Sequence, residues 1–145
     1  MSSAKTKWGL WFVFAVVFAV IFCVFFRSQN LSKIVTPYDD ASIDRIVISK
    51  VVMQADPKTF TIDDSASCDS LAMCLEEITV RRRGLHPDRI VQEDGTMYYI
   101  VICYSDEDVV SSTLFDGKFF CGKYSYTLLR NGENVLTEWI ENAID

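Results

Sequence analysis

The chain has 145 residues, a formal net charge of −6 and a half-hydrophobic composition. All 20 acidic residues but only 11 of the 14 basic ones follow an apolar amino-terminal run and its flanking Arg27, so the remainder is nine charges to the negative side. That balance makes nucleic acid and anionic headgroups poor default partners, while its simplest reading is solubility. The length after the run, close to 100 residues, suffices for one hydrophobic core and no more.

Residues 1–7 form a short polar tail, and Trp8 to Phe26 (WGLWFVFAVVFAVIFCVFF) carry no charge. At the helical rise these 19 residues span about 28 Å, close to the hydrocarbon thickness of a bilayer. A single span in lipid must be helical, because each backbone amide needs an internal partner. Signal peptides have a shorter core and small residues before the cut, whereas Phe25, Phe26 and Arg27 stand there. Phe22 before Cys23 argues against lipidation. The run therefore reads as an uncleaved, single-pass signal-anchor, with the lipid bilayer as the partner of residues 8–26. Trp8 and Trp11 sit where interfacial indoles do. Lys5 and Lys7 balance Arg27 and Lys33, so charge barely sets orientation. The short tail favours an amino terminus inside and a carboxy-terminal domain outside the cytoplasm. No GxxxG pattern marks a helix-dimer face.

Residues 27–42, broken by Pro37, read as a polar linker. The Asn30-Leu31-Ser32 triplet matches a glycosylation acceptor but lies too near the lipid to be given a role. A domain then runs over 43–145. Ile43 to Met53 reads as a strand, Asp56-Pro57-Lys58 as a turn, and Phe60 to Ile62 as its hairpin partner. Asp63, Asp64 and Ser65 offer caps for a helix with Leu71, Leu75 and Ile78 on one face, fading near Val80 and stopping at Gly84. Leu85 to Gly95 is a loop. Met97 to Tyr104 is the clearest strand, followed by Val109 to Phe115, a tight Asp116-Gly117 turn, and one or two strands over 118–129. Glu133 to Ile144 closes as an amphipathic helix. The fold class is α+β: an antiparallel sheet with two helices on one face.

Chemistry is sparse. His86, the single histidine, precedes Pro87 in a loop, and no nucleophile motif frames a serine. Asp106, Glu107 and Asp108 lack the glycine and spacing of a calcium loop. Cys68, Cys74, Cys103 and Cys121 contain no CxxC, so zinc is not indicated; they leave open buried thiols or two disulfides. If Tyr104 pairs with Val109, Cys103 and Cys121 share a face, too far apart to bridge. No cofactor is implied and no catalytic residue emerges. Arg81, Arg82 and Arg83 form one dense cationic patch, read either as complementing a helix carboxyl end or as docking an anionic partner. Alternation sends Tyr98 and Tyr104 to one sheet face and Tyr99 to the other, and a tyrosine-bearing face could bind a protein partner.

The stretches Ile46 to Ser49, Leu71 to Ile78, Pro87, Tyr98 to Ile102 and Phe115 to Tyr126 are similar to small membrane-tethered or lipid-tethered domains of unknown function in Firmicutes. The resemblance covers about 100 residues and departs in the four cysteines of the domain. It implies architecture and a bacterial cell-membrane location, not an activity. The resulting expectation is an exported accessory, sensory or protein-binding domain on a membrane anchor. Two alternatives stand beside it: a cell-envelope hydrolase using carboxylates, and a cytoplasm-facing regulatory subunit of a membrane complex.

Overall fold

The computed structural model describes residues 3–145. Of the expected tail 1–7, residues 1 and 2 lie outside the described residues; the rest already belongs to helix α1 (Ser3–Phe25). Its stretch Lys7–Phe25, with mean hydropathy 2.6, is long and apolar enough to cross a membrane and is unburied by the rest of the chain.

Strands β1 (Ser28–Asn30), β2 (Ile43–Val52), β3 (Lys58–Ile62), β4 (Thr79–Leu85), β5 (Thr96–Tyr104), β6 (Val109–Phe115), β7 (Lys118–Cys121) and β8 (Tyr124–Leu128) form one sheet of order β1-β4-β8-β7-β6-β5-β2-β3. Every pairing is antiparallel. Helices α2 (Ser32–Val35), α3 (Ser65–Glu77) and α4 (Gly132–Ile144) complete the chain, so the α+β class holds. The longest ladder joins β2 to β5 from Ile43↔Tyr104 to Val52↔Thr96. Both strands are β-branched and aromatic, the composition that fits a pleated, half-buried surface. Alternation puts Tyr98, Ile100, Ile102 and Tyr104 on the helix side with Ile46 and Ile48.

α3 begins where its cap predicts: the Asp64 carboxylate accepts a hydrogen bond from the Ser67 amide at 2.8 Å, which holds its pKa below the ordinary carboxylate range. Cys68, Leu71, Cys74 and Leu75 face the core. In α4 the buried positions are Gly132, Leu136 and Ile140, while Trp139 leans toward α3 and donates from Nε1 to Ser70 Oγ at 3.0 Å. Gly132 opens α4 so close to its neighbours that a Cβ there would lie 2.9 Å from Ile78 Cγ2. The Asp116-Gly117 turn joins β6 to β7 with φ of 50° and 67°, the conformation of a tight primed hairpin.

Three expectations are corrected. Residues 27–42 are not a linker. β1 pairs with β4, the Leu31 amide donates to Ile78 O at 2.8 Å, and Leu31 and Val35 are fully buried in the main core. The polar composition of the segment hid two apolar positions four apart, which a single helical turn aims inward.

Second, the first domain helix ends at Glu77 and the arginine run is strand. Arginine favours helix intrinsically, but β4 lies between β1 and β8 and its backbone bonds are taken on both sides. The arginines therefore do not continue the helix whose end they were expected to complement; they lie on a strand, beside the end of α1.

Third, the β5–β6 register is one residue from the expected one: Cys103, not Tyr104, opposes Val109. Glu107 at φ 73° lets the turn close on Tyr104 through its own amide, and a one-residue slip moves Cys103 to the opposite face from Cys121. All cysteines are free thiols.

The 86–95 segment is a loop, as expected, and it also covers one sheet face. The His86 ring meets Phe120 edge-on at 5.3 Å, and Gln92 Nε2 donates to Val51 O and Gly95 O. Met97 and Phe120, on the face away from the helices, are thereby buried.

Leu31→Ala in the full-length protein in detergent will destabilise the domain by about 3 kcal/mol, the cost of emptying a buried leucine site. Chemical denaturation followed by domain tryptophan fluorescence measures it, and an unchanged midpoint would restore the linker reading.

Candidate functional site

The carboxyl end of α1 runs directly into β1, and β4 carries Arg81, Arg82 and Arg83 beside it. Alternation separates them. Arg81 and Arg83 are exposed, and Arg81 Nη2 donates to Ser28 Oγ at 3.4 Å, a long bond across the β1–β4 pair. Arg82 is half-buried on the other side. Its guanidinium lies over the Tyr124 ring at 4.0 Å and over the Phe25 ring at 4.3 Å, while those rings meet edge-on at 5.6 Å. One cation thus joins the last turn of the apolar helix to the sheet, an arrangement worth about 0.5–2 kcal/mol for each such contact. Tyr126 is the third ring, 6.0 Å away; burial raises its pKa while the neighbouring guanidinium opposes the rise. The Arg82 Nε–H is buried with no hydrogen-bond partner.

Beside this stack opens a cleft of about 420 Å³ lined by Arg27, Ser28, Gln29, Asn30, Lys33 and Arg82, with the end of α1 as its remaining wall. No carboxylate lines it. Arg27 and Lys33 were hidden in the supposed linker. The only sequence signal for them is their spacing from the end of the apolar run.

The other two predicted site residues are elsewhere and buried. Tyr98 and Tyr104 share a face, as alternation predicts, but α2, α3 and α4 occupy that side; neither is an exposed docking residue. Tyr104 donates to Val35 O at 2.7 Å, so it pins α2, and burial pushes its hydroxyl up. Tyr98 donates to Glu141, and burial followed by that carboxylate raises its pKa strongly. Glu141 also accepts two bonds of 2.7 Å from Lys50. Lys50 and then Tyr98 hold the carboxyl below its ordinary range. This cluster clamps α4 to β2 and β5. The exposed tyrosine of the sheet is Tyr99.

The remaining polar groups are local. His86 Nδ1 contacts Pro87 O at 2.6 Å within the covering loop. The Asp106 carboxylate beside it pushes Tyr38 up to about 12, while Ser42 ties its segment to the acidic turn through the Ser105 hydroxyl at 2.7 Å and the Ser105 amide at 3.1 Å. No group of three or more histidine, cysteine or acidic side chains arranged to hold a metal occurs among the described residues. Burial raises Cys74 to about 11 and also raises Cys68 and Cys121, the opposite of an activated nucleophile.

No family model matches the chain, and no curated protein or solved structure is significantly similar to it.

Two measurements test this geometry. Glu141 has a depressed folded-state pKa, so its stabilising effect is full above the unfolded carboxylate value and is lost as pH falls through the folded value. Glu141→Gln will therefore cost about 1 kcal/mol at neutral pH, and the gap to the parent will narrow as the pH falls below the ordinary carboxylate range. A gap that stays constant with pH would remove the charged clamp. A charged, membrane-impermeant maleimide will label half-buried Cys103 in the native domain and spare Cys68, Cys74 and Cys121. Denaturation without reductant will then expose all five cysteines of the chain to mass-tagging, and a smaller count would mean a disulfide.

Proposed function

We propose that this chain is a single-pass bacterial membrane protein whose α+β domain is an accessory, sensory or protein-binding module held at a set position against the bilayer. One observation carries the reading: the helix fit to cross a membrane is packed into the domain by the Phe25–Arg82–Tyr124 stack and the β1–β4 pairing. A cleavable leader has no use for such a junction, because its removal after the span would strip Phe25 from the stack and leave the Arg82 cation half-uncovered. A module fixed in this way presents the same surface to a partner at a constant height above the lipid.

The short tail before the span supports a domain exported from the cytoplasm. A specific observation favours the reverse. All four cysteines of the domain are free thiols, and oxidising compartments seldom leave thiols unpaired. The second reading is therefore a cytoplasm-facing regulatory subunit of a membrane complex. A carboxylate hydrolase has less support: the acidic trio at 106–108 lies on an exposed turn, and Glu141 is committed to Lys50 and Tyr98.

Alkaline carbonate extraction tests the anchor: the full-length chain will stay with the membrane pellet, whereas release to the supernatant or a mature amino terminus beyond Arg27 refutes it. A protease-sensitive tag after Asp145 then reads the side. Cleavage on intact cells supports export, and cleavage only after lysis selects the cytoplasm-facing reading.

A further inference from the structure

Tertiary structure gathers Arg27, Lys33 and Arg82 around one cleft at the α1 end of a strongly acidic domain, with Arg81 and Arg83 on the other face of the same strand. Among the described residues the one ion pair is Lys50–Glu141, so none of these five cations has a carboxylate partner. Like charges held together repel, and an acidic chain has many carboxylates with which to relieve them. None lines the cleft. Its other polar walls are the hydroxyl of Ser28 and the side-chain amides of Gln29 and Asn30, which donate hydrogen bonds without adding charge. Arg82 lines the same cleft with its Nε–H demand unmet. At about 420 Å³ the cleft falls within the size of ordinary small-ligand sites.

Its position narrows the ligand. Lys7–Phe25 fills the hydrocarbon layer when inserted, so Arg27 and Ser28, immediately after it, lie at headgroup depth. Guanidinium and ammonium groups at that depth recognise phosphate oxygens through short charge-assisted hydrogen bonds. We infer that the cleft of Arg27, Ser28, Lys33 and Arg82 binds the phosphodiester of an anionic phospholipid headgroup. The inference rests on the membrane-anchored reading for its source of ligand. The bound headgroup would neutralise the cationic end of the sheet and lock the junction between helix and domain. It also reverses, for this one surface, the repulsion that net charge alone implies.

Native mass spectrometry of the full-length protein in neutral-detergent micelles, doped with phosphatidylglycerol or with phosphatidylcholine, reads the bound lipid. The expected result is at least about tenfold more phosphatidylglycerol adduct than phosphatidylcholine adduct, since each juxtamembrane cation contributes roughly fivefold. The exposed double substitution Arg27→Gln with Lys33→Gln removes that preference and leaves the near-ultraviolet circular dichroism unchanged. Lys58→Gln, on β3 at the opposite sheet edge, retains it. Equal adducts with both lipids, or equal loss in both variants, overturns the site. Displacement of phosphatidylglycerol by an equal concentration of inorganic phosphate overturns the lipid assignment in favour of a free anion. Because the micelle experiment does not depend on insertion in cells, release of the chain by carbonate refutes the anchor without touching the cleft, and the two failures are separable.

Discussion

A short antiparallel seam governs the rest of this molecule. β4 lies between β1 and β8, so Ser28–Asn30, two residues beyond the apolar helix, are hydrogen-bonded into the same sheet that forms the core. From that seam three consequences follow. The chain leaving β1 turns through α2 and buries Leu31 and Val35. The run of arginines becomes a strand, with alternate residues sent to opposite faces. The Arg82 cation is thereby placed between a ring of the apolar helix and a ring of β8.

The path between the sheet edges explains why both faces are covered. The chain begins at one edge, crosses to β2 and β3 at the other, and returns as α3 over the helix side to reach β4. The 86–95 loop then passes across the second face to β5, from which three hairpins lead back to β4. Sheet faces with buried aromatic residues need a cover, and here α2, α3 and α4 serve one side and a polar loop the other. The loop shields Met97 and Phe120 with few apolar groups of its own, chiefly by anchoring through Gln92 and His86.

Buried polar groups in this domain act as clamps. Tyr104 fixes α2 through a carbonyl, and Glu141 joins α4 to two strands through Lys50 and Tyr98. Each buried polar atom has a partner, which is what retains it in a core. The Arg82 Nε–H is the exception, buried in a residue that also lines the cationic cleft. Net charge is a sum over the molecule, and a surface is defined by where the charges fall. The strong negative balance is compatible with a local cationic face because no acidic residue lines that cleft.

The patterns carried by neighbouring residues were legible in the chain itself. The apolar span, the Asp64 cap, the Asp116-Gly117 hairpin, the alternation of Tyr98, Tyr99 and Tyr104 and the amphipathic last helix all depend on local spacing, and each appears where that spacing places it. The α+β class follows from the same signals. What required tertiary structure was every outcome set by a distant partner. Residues 79–85 are strand because β1 and β8 flank them, although arginine prefers helix; Leu31 and Val35 belong to the core because Ile78 and Tyr104 hold their segment. The two tyrosines singled out for binding are instead covered by helices that the alternation alone could not assign to a side. The cationic cleft joins residues more than fifty positions apart, and no periodicity encodes such a meeting. Local sequence sets which conformations are cheap, and only long-range pairing decides which of them satisfies the backbone and buries the apolar surface at once.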